Sequence, residues 1–246
     1  FLSFDTASSY GNSEKYIGLS IKNTKKKIKI FTKIPKLPYR NISTAEKYFN
    51  ESIKKLNIKF IEGLCLHHPM DWEIKGMRKF ANQLKNKNLI KMFGLSIYDK
   101  IDIPNDKDID IIQVPGNIFN QNLIKSTKLA KFYKGGGTVL IRSIFLQGLL
   151  FFKKDNFPKN LISLEEPILK LQKLSLENNI TIEALAIKTV EKMCPYGKLV
   201  IGCNNIKQLE ILSKASKMNI NNAIITEAIN IGNEYYSILW DPRNWK

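Results

Sequence analysis

Cysteine is scarce in this sequence and long apolar runs are missing. The three cysteines, Cys65, Cys194 and Cys203, are odd in number, widely spaced and outside any CxxC motif, which argues against a disulfide framework or a zinc ribbon. No stretch of about 18 apolar residues is present, so no transmembrane helix is expected. An apolar strand is predicted from residue 1 onward, so no signal peptide is expected. Together with the cysteine pattern, this predicts a protein of the reducing cytoplasm.

Metal-binding motifs are missing as well. The only two histidines, His67 and His68, are adjacent, and neither H-x-H nor HExxH occurs. Adjacent residues on a strand point to opposite faces of a sheet, so this pair cannot readily bind one ion together. We therefore predict no metal site.

Acidic residues are few compared with basic ones. The chain has 39 Lys and Arg against 22 Asp and Glu, a formal net charge of +17. A polyanion-binding surface and an ordinary lysine-rich surface both explain this excess. The lysines are spread through the chain, with no Arg-rich tail and no aromatic-basic repeat, which favours the ordinary surface. We expect neither a nucleic-acid nor a membrane partner, and polyanion binding stays an alternative.

Short apolar segments alternate with helical segments along the whole chain. Strands are predicted at residues 1–4, 28–32, 63–66, 92–95, 109–114, 138–141 and 199–201. Helices are predicted at residues 13–20, 43–56, 71–87, 121–132, 163–177, 182–193 and 206–217, with capping boxes at Ser43 and Ser163 and a cap at Thr181. This order predicts parallel βαβ units and an α/β fold. No linker-like segment divides the chain, so residues 1–246 are predicted to form one domain.

Polar residues stand at the carboxyl ends of successive predicted strands. Asp5, Lys33, His67 and Ser96 each follow an apolar segment, and Tyr10 lies on the loop after the first strand. In a (β/α)8 barrel, residues in these positions meet at one mouth and form the active site. We therefore expect these side chains to lie together.

These residue types suit the reduction of a carbonyl group, in which hydride reaches carbon and a proton reaches oxygen. A free phenol is a weak acid at neutral pH, and a neighbouring ammonium stabilises its phenolate. A carboxylate can hold that ammonium, and a neutral imidazole can hydrogen-bond the carbonyl oxygen. Each residue taken singly also has an ordinary structural explanation, so the hypothesis depends on their joint placement.

Asp5, Tyr10, Lys33 and His67 in this order resemble the catalytic residues of the aldo-keto reductases. The resemblance implies a (β/α)8 TIM barrel in which Tyr10 is the general acid, Lys33 tunes it, Asp5 anchors Lys33 and His67 orients the substrate. The first predicted strand is similar to the second barrel strand of the family, and residue 1 is not Met. We therefore expect an N-terminally truncated member that lacks the first strand and helix, and is poorly soluble or inactive as such.

Further segments extend the resemblance to a nicotinamide cofactor. It implies that Ser96 and Gln113 hold the carboxamide, although Ile97 stands where the family often has Asn. The other implied cofactor residues are Arg142, Ser143, Phe145, Gln147, Gly202, Asn204 and Gln208. Ile211 and Leu212 replace the usual Glu-Asn, and Lys207 is the candidate partner for a 2′-phosphate. His68 and Trp72 are the implied substrate contacts.

The activity implied is NAD(P)H-dependent reduction of an aldehyde or ketone, a small-molecule substrate. NADP(H) is the family default, and NAD(H) stays open. The alternative on the same barrel is a catalytically weak nucleotide-binding regulatory module. The carbonyl substrate and the oligomeric state are left open.

Overall fold

Seven parallel strands form the sheet of the computed structural model, which describes residues 3–99, 103–154, 156–235 and 237–245. The strands are β1 (Ser3–Asp5), β2 (Lys29–Ile34), β3 (Ile61–Leu66), β4 (Ile90–Ser96), β5 (Ile111–Pro115), β6 (Thr138–Arg142) and β7 (Lys198–Leu199). They are ordered β1-β2-β3-β4-β5-β6-β7, and the pairs from β1 to β5 and the pair β6–β7 are parallel. The strand predictions are confirmed with small shifts, while residues 1–2 lie outside the described part.

Helices connect most of the strands. They are α1 (Ser13–Ile21), α2 (Ile42–Leu56), α3 (Met77–Asn86), α4 (Thr127–Lys134), α5 (Glu165–Glu177), α6 (Ile182–Met193), α7 (Ile206–Ala215) and α8 (Asn222–Glu234). Within the described ranges, no helix is both long enough and apolar enough to cross a membrane. The alternation of strand and helix follows the βαβ pattern of parallel sheets.

The chain divides into two compact units. The first comprises residues 1–113 and 131–139, and the second comprises residues 114–130 and 140–246. The boundaries fall inside β5 and β6. The first unit carries every strand end predicted to be catalytic, and the second carries α5 to α8 together with the segments predicted to hold the rest of the cofactor.

The core of the first unit forms because its central strands are apolar on both faces. All six residues of β3 are buried, as expected for a parallel strand covered on both sides. Gly94 of β4 is required by close packing, because a Cβ there would meet the carbonyl oxygen of Ile111 at 2.1 Å. This approach brings β4 and β5 together just below the strand ends that carry the site.

One helix prediction is wrong in part. The segment predicted as a helix over residues 71–87 begins as a short 3-10 turn, Pro69–Glu73, and α3 starts only at Met77. Gly76 separates the two with a φ of 95°, a left-handed conformation that favours glycine. Asp71 turns inward instead of opening a helix, since its Oδ2 accepts from the Leu37 amide at 2.9 Å.

Helix ends account for the other differences. Asn41, not Ser43, caps α2 by accepting from the Ser43 amide, and no side chain caps α5, where Ser163 was expected to. The Thr181 cap of α6 is confirmed, with Oγ1 accepting from the Ala184 amide at 3.2 Å. The helix predicted from residue 121 begins at Thr127.

Helix α8 was not predicted. Asn221 caps it by accepting from the Ala223 amide, but its isoleucines and its glycine, Gly232, have low helix propensity. Gly232 is needed there because a Cβ would lie 1.9 Å from the Ile118 carbonyl oxygen. Tertiary packing therefore stabilises a helix that local propensity does not favour.

Candidate active site

A buried ion pair joins the ends of the first two strands. The Lys33 ammonium donates to Asp5 Oδ2 at 2.6 Å and to the Thr6 carbonyl at 3.0 Å. The Lys33 side chain is only 1% exposed and that of Asp5 is 15% exposed. A charge this deeply buried is tolerated only when it is paired and hydrogen-bonded, so Asp5 is what permits an ammonium at this position.

Tyr10 lies over this ion pair on the loop after β1. The Tyr10 amide donates to the Ala7 carbonyl at 3.0 Å, and Gly11 completes the turn with a φ of 56°. The Lys33 Nζ lies 5.2 Å from the centroid of the Tyr10 ring, within the range of a cation–π contact. The ring is 47% exposed, so the phenol is open to a substrate while the ammonium beside it is not.

His67 completes the cluster from the end of β3. Its ring is edge-on to that of Tyr10, with centroids 5.9 Å apart and an interplanar angle of 81°. Its Nδ1 lies 3.3 Å from the Ser9 hydroxyl. The structure therefore brings Asp5, Tyr10, Lys33 and His67 together, and it adds Ser9, which sequence reasoning missed although it directly precedes Tyr10.

Two buried polar atoms lie beside this cluster without a partner. Ser96 and Gln113 are register partners on β4 and β5, and both residues are fully buried. Gln113 Nε2 donates to Asp5 Oδ1 at 2.9 Å, which leaves Gln113 Oε1 and Ser96 Oγ with no hydrogen bond from any described residue. Such groups are rare in folded proteins, and one acceptor beside one hydroxyl fits the two ends of a carboxamide.

Ile97 stands where the resemblance implies an Asn. Its side chain is fully buried and apolar, so it cannot donate or accept a hydrogen bond. A carboxamide site with Ser96 and Gln113 as its polar side chains stays a prediction.

Cys65 is buried beneath the cluster and is chemically inert there. Burial raises the pKa of its thiol to about 12, an effect that the nearby Lys33 charge opposes and the Asp5 charge reinforces. The reactive form of a cysteine is the thiolate, so Cys65 is excluded as a nucleophile at neutral pH.

The two residues predicted to touch substrate lie in the turn after β3. The His68 side chain is 40% exposed, with Nδ1 3.6 Å from Asp71 Oδ1. Trp72 is only 6% exposed, packs on Phe93, and donates its indole N–H to Asp106 Oδ2 at 3.0 Å. A substrate contact by either stays a prediction, and the Trp72 indole N–H already has a protein partner.

A groove of about 460 Å³ occurs in the second unit. Its lining includes most of the remaining predicted cofactor residues, namely Ser143, Phe145, Gln147, Gly202, Asn204 and Gln208. The rest of the lining was not predicted to bind, and it consists of Ile144, Gly148, Phe151, Glu183, Val200, Cys203, Ile211 and Leu212. No described group of three or more His, Cys, Asp or Glu side chains could hold a metal ion.

The loop along one side of the groove has an unusual backbone. Ser143, Leu146 and Gln147 have φ values of 65°, 49° and 53°, and Gly148 has a φ of 93°. Non-glycine residues in the left-handed region cost about 1 kcal/mol or more each and concentrate at functional sites. This strain supports the prediction that the loop contacts a ligand.

The start of α7 also lines the groove. Asn205 caps this helix by accepting from the Gln208 amide at 2.9 Å, and Gln208 Oε1 accepts from the Asn204 amide at 2.8 Å. This arrangement differs from a capping box in that Gln208 reaches the residue before the cap and not the cap residue itself. It fixes the backbone while occupying two amides that could otherwise bind an anion.

Arg142 lies at the end of β6 and does not line this groove. Its Nη1 donates to Ser143 Oγ at 3.4 Å. The charge of Arg142 also acts on Asp241. Burial alone would raise the pKa of the Asp241 carboxyl, but the hydrogen bonds and charge of Arg243 and the charge of Arg142 outweigh it, and the pKa is lowered. Stacking of Arg142 on a nicotinamide ring stays a prediction.

Comparison with known proteins gives a consistent result. A family model described as the aldo/keto reductase family matches residues 2–229. No curated protein matches the sequence. Among solved structures, glycerol dehydrogenase from Gluconobacter oxydans is 19% identical, with a TM-score of 0.78 over 94% of this chain and 80% of that one.

Two further structures are similar. The holo form of an aldo-keto reductase from Bacillus halodurans is 19% identical, with a TM-score of 0.73 over 94% of this chain and 82% of that one. An aldo/keto reductase from Klebsiella pneumoniae in complex with NADP and acetate is 14% identical, with a TM-score of 0.75 over 94% and 80%. These likenesses show the fold, which confirms the predicted aldo-keto reductase type of (β/α) barrel with seven strands among the described residues.

Proposed function

Because the chain belongs to the aldo/keto reductase family, we propose that it reduces an aldehyde or ketone to an alcohol with a nicotinamide dinucleotide as hydride donor. The observation that carries the proposal is the Lys33 ammonium, 2.6 Å from the Asp5 carboxylate and 5.2 Å from the Tyr10 ring centroid. A phenol, an ammonium, a carboxylate and an imidazole in this arrangement form a complete proton-donating group.

Tyr10 is the general acid in this proposal. The dinucleotide supplies the hydride that reaches the carbonyl carbon, and the Tyr10 phenol gives its proton to the carbonyl oxygen. The Lys33 ammonium stabilises the phenolate that remains. Asp5 keeps Lys33 charged and in place, since its Oδ2 accepts at 2.6 Å.

His67 orients the carbonyl oxygen. A Ser9 hydroxyl that donates to Nδ1 places the ring proton on Nε2, because a neutral imidazole carries one N–H. In this proposal the Nε2–H hydrogen-bonds the substrate oxygen. Ser9 is thus a positioning residue that acts through His67.

The orphaned polar atoms are suited to the nicotinamide end of the cofactor. Gln113 Oε1 would accept from the carboxamide N–H, and Ser96 Oγ would donate to its carbonyl, which satisfies both buried atoms. We propose separately that the groove of the second unit, lined by Ser143, Gln147 and Asn204, binds the adenosine group of the nucleotide. NADP is present in the Klebsiella structure, and NADP(H) is also the form that the resemblance implies.

A Tyr10→Phe variant tests the proposal. It should bind the reduced dinucleotide as tightly as the wild type does, and it should lose reduction of a generic aldehyde by about 10²-fold or more, the usual worth of a general acid. Tyr16→Phe is the matched control, since Tyr16 is 62% exposed on α1. Nucleotide binding by the wild type without reduction across a broad aldehyde panel would instead support the regulatory module.

A further inference from the structure

The groove in the second unit has an unexpected charge. Glu183 is the one charged residue that lines it, and no described Lys or Arg does. This contrasts with a chain of net charge +17, in which 39 residues are Lys or Arg. Glu183 lies in the first turn of α6 and makes no salt bridge with any described residue, so no described Lys or Arg side chain neutralises its charge.

Two of the backbone amides near the groove already have partners. The Asn204 and Gln208 amides at the start of α7 donate to the side chains of Gln208 and Asn205, at 2.8 and 2.9 Å. Lys207, expected from the sequence to meet a 2′-phosphate, is exposed on α7 and does not line the groove. The described lining therefore offers a carboxylate and no cationic side chain to a bound group.

A phosphate carrying nearly two negative charges would be poorly accommodated here. Phosphate groups are bound in proteins by Arg, Lys and free backbone amides, and a carboxylate in the same groove repels them. A ribose hydroxyl, in contrast to a phosphate, binds well beside a carboxylate, because it donates a hydrogen bond that the carboxylate accepts. In other dinucleotide-binding folds, an acidic residue that binds the ribose 2′-hydroxyl selects NAD.

We infer that this groove accepts an adenosine ribose with a free 2′-hydroxyl, so that the chain binds NADH in preference to NADPH, with Glu183 as the discriminating residue. The inference rests on the proposed function, in that it takes the groove as the adenosine half of a dinucleotide site. It departs from the NADP(H) expectation that the resemblance and the Klebsiella structure provide.

Cys203 offers a readout that is independent of turnover. It lines the same groove and is exposed, whereas Cys65 and Cys194 are buried. A maleimide should therefore react at Cys203 in the folded protein, and an occupied groove should slow that reaction. NADH and NADPH are each titrated against the labelling rate, with nucleotide fluorescence as the second measure of affinity.

The wild type should bind NADH at least about tenfold more tightly than NADPH, which corresponds to about 1.4 kcal/mol. Glu183→Gln should raise NADPH affinity by about tenfold, because it removes a like charge near the phosphate. Asn204→Arg should do the same by adding a guanidinium to the lining. Glu210→Gln, an equal charge change at an exposed position of α7 that does not line the groove, should leave the ratio unchanged.

Each result decides between the two hypotheses. Tighter binding of NADPH to the wild type, or an unaltered ratio in both Glu183→Gln and Asn204→Arg, overturns the assignment of Glu183. If neither NADH nor NADPH protects Cys203, the assignment is overturned too, and so is the dinucleotide site on which the proposed reaction depends. Selective protection by NADH without any aldehyde reduction keeps the NADH assignment and overturns the reductase activity alone.

Discussion

Replacing Lys33 by Met removes a buried charge while keeping a side chain of similar length. At 2.6 Å from Asp5 Oδ2, Coulomb's law with an effective dielectric constant of about 20 gives about 6 kcal/mol of attraction. The cost of desolvating two charges offsets much of this. In the single variant the attraction is lost, and Asp5, 15% exposed, keeps only the Gln113 amide as a partner. We expect the free energy of unfolding to fall by about 3–5 kcal/mol.

A double-mutant cycle separates this ion pair from simple loss of packing. Asp5→Asn should destabilise the protein by a comparable amount, because it leaves a buried ammonium without a carboxylate. Asp5→Asn combined with Lys33→Met removes both charges and should cost much less than the sum, with a coupling energy of about 3 kcal/mol. Urea unfolding followed by circular dichroism measures each corner, provided that the m-value stays constant.

A surface pair serves as the control. Lys173→Met breaks an ion pair to Glu177 at 3.7 Å in which the two side chains are 74% and 59% exposed, and it should cost less than about 1 kcal/mol. Additive effects of the Asp5 and Lys33 changes, within about 0.5 kcal/mol, would refute the account of Lys33 as a charge held in place by Asp5.

Two further predictions follow from pKa shifts and exposure. Burial raises the pKa of Cys65 to about 12, so a maleimide at neutral pH should modify only the exposed Cys203 in the folded protein. After denaturation it should modify all three cysteines, as counted by mass spectrometry. Labelling of Cys65 in the folded protein would contradict this. Burial raises the pKa of Asp106, but hydrogen bonds, including those from Arg78 and Trp72, outweigh it and lower the pKa. The stability that this shift provides is present above the unfolded pKa of about 4 and is lost as pH falls through the folded pKa. In urea unfolding, Asp106→Asn should therefore lower the free energy of unfolding by about 1–2 kcal/mol at pH 7 and by progressively less below pH 4. A difference between wild type and variant that does not change with pH would contradict the shift.

The close placement of the candidate catalytic residues could be predicted because parallel strands impose a simple rule. Residues that follow each strand emerge at the same edge of the sheet, so Asp5, Lys33 and His67 are neighbours whatever the intervening helices are. The same rule made Ser96 and Gln113 register partners. The positions of the short strands and of the polar residues that follow them were therefore enough to predict which side chains lie close together in this cluster.

Helix ends were harder to predict because several residues satisfy the same requirement. Asn41 and Ser43 are both good capping residues, and only the path of the chain before α2 decides in favour of Asn41. Helix α8 depends on packing of Gly232 against the Ile118 carbonyl, a contact between segments more than 100 positions apart. Such contacts leave no local pattern in a single sequence.

Glu183 was missed for a different reason. An acidic residue two positions after the Thr181 cap is explained by the helix dipole alone, so the sequence offers no sign of a second role. Its place in the groove depends on α6 lying beside the segment that carries Asn204, which only the folded chain brings together. The residue that we expect to select the cofactor was thus concealed by a local preference that it also satisfies.

The distribution of unsatisfied groups distinguishes a binding site from a structural polar network. A network kept only for stability would satisfy all its members, since each buried group left without a partner costs about 1–3 kcal/mol. Here the Lys33 ammonium is held by Asp5 and the Thr6 carbonyl, while Ser96 Oγ and Gln113 Oε1 are buried without a hydrogen bond. Glu14 Oε2, His68 Nδ1 and Thr189 Oγ1 are also buried without a hydrogen bond from the described residues, so an unpaired atom alone does not identify a ligand site. Ser96 Oγ and Gln113 Oε1 differ in that their residues are register partners on neighbouring strands and that Gln113 also holds Asp5, and this shared position is what supports the proposal of a ligand amide there.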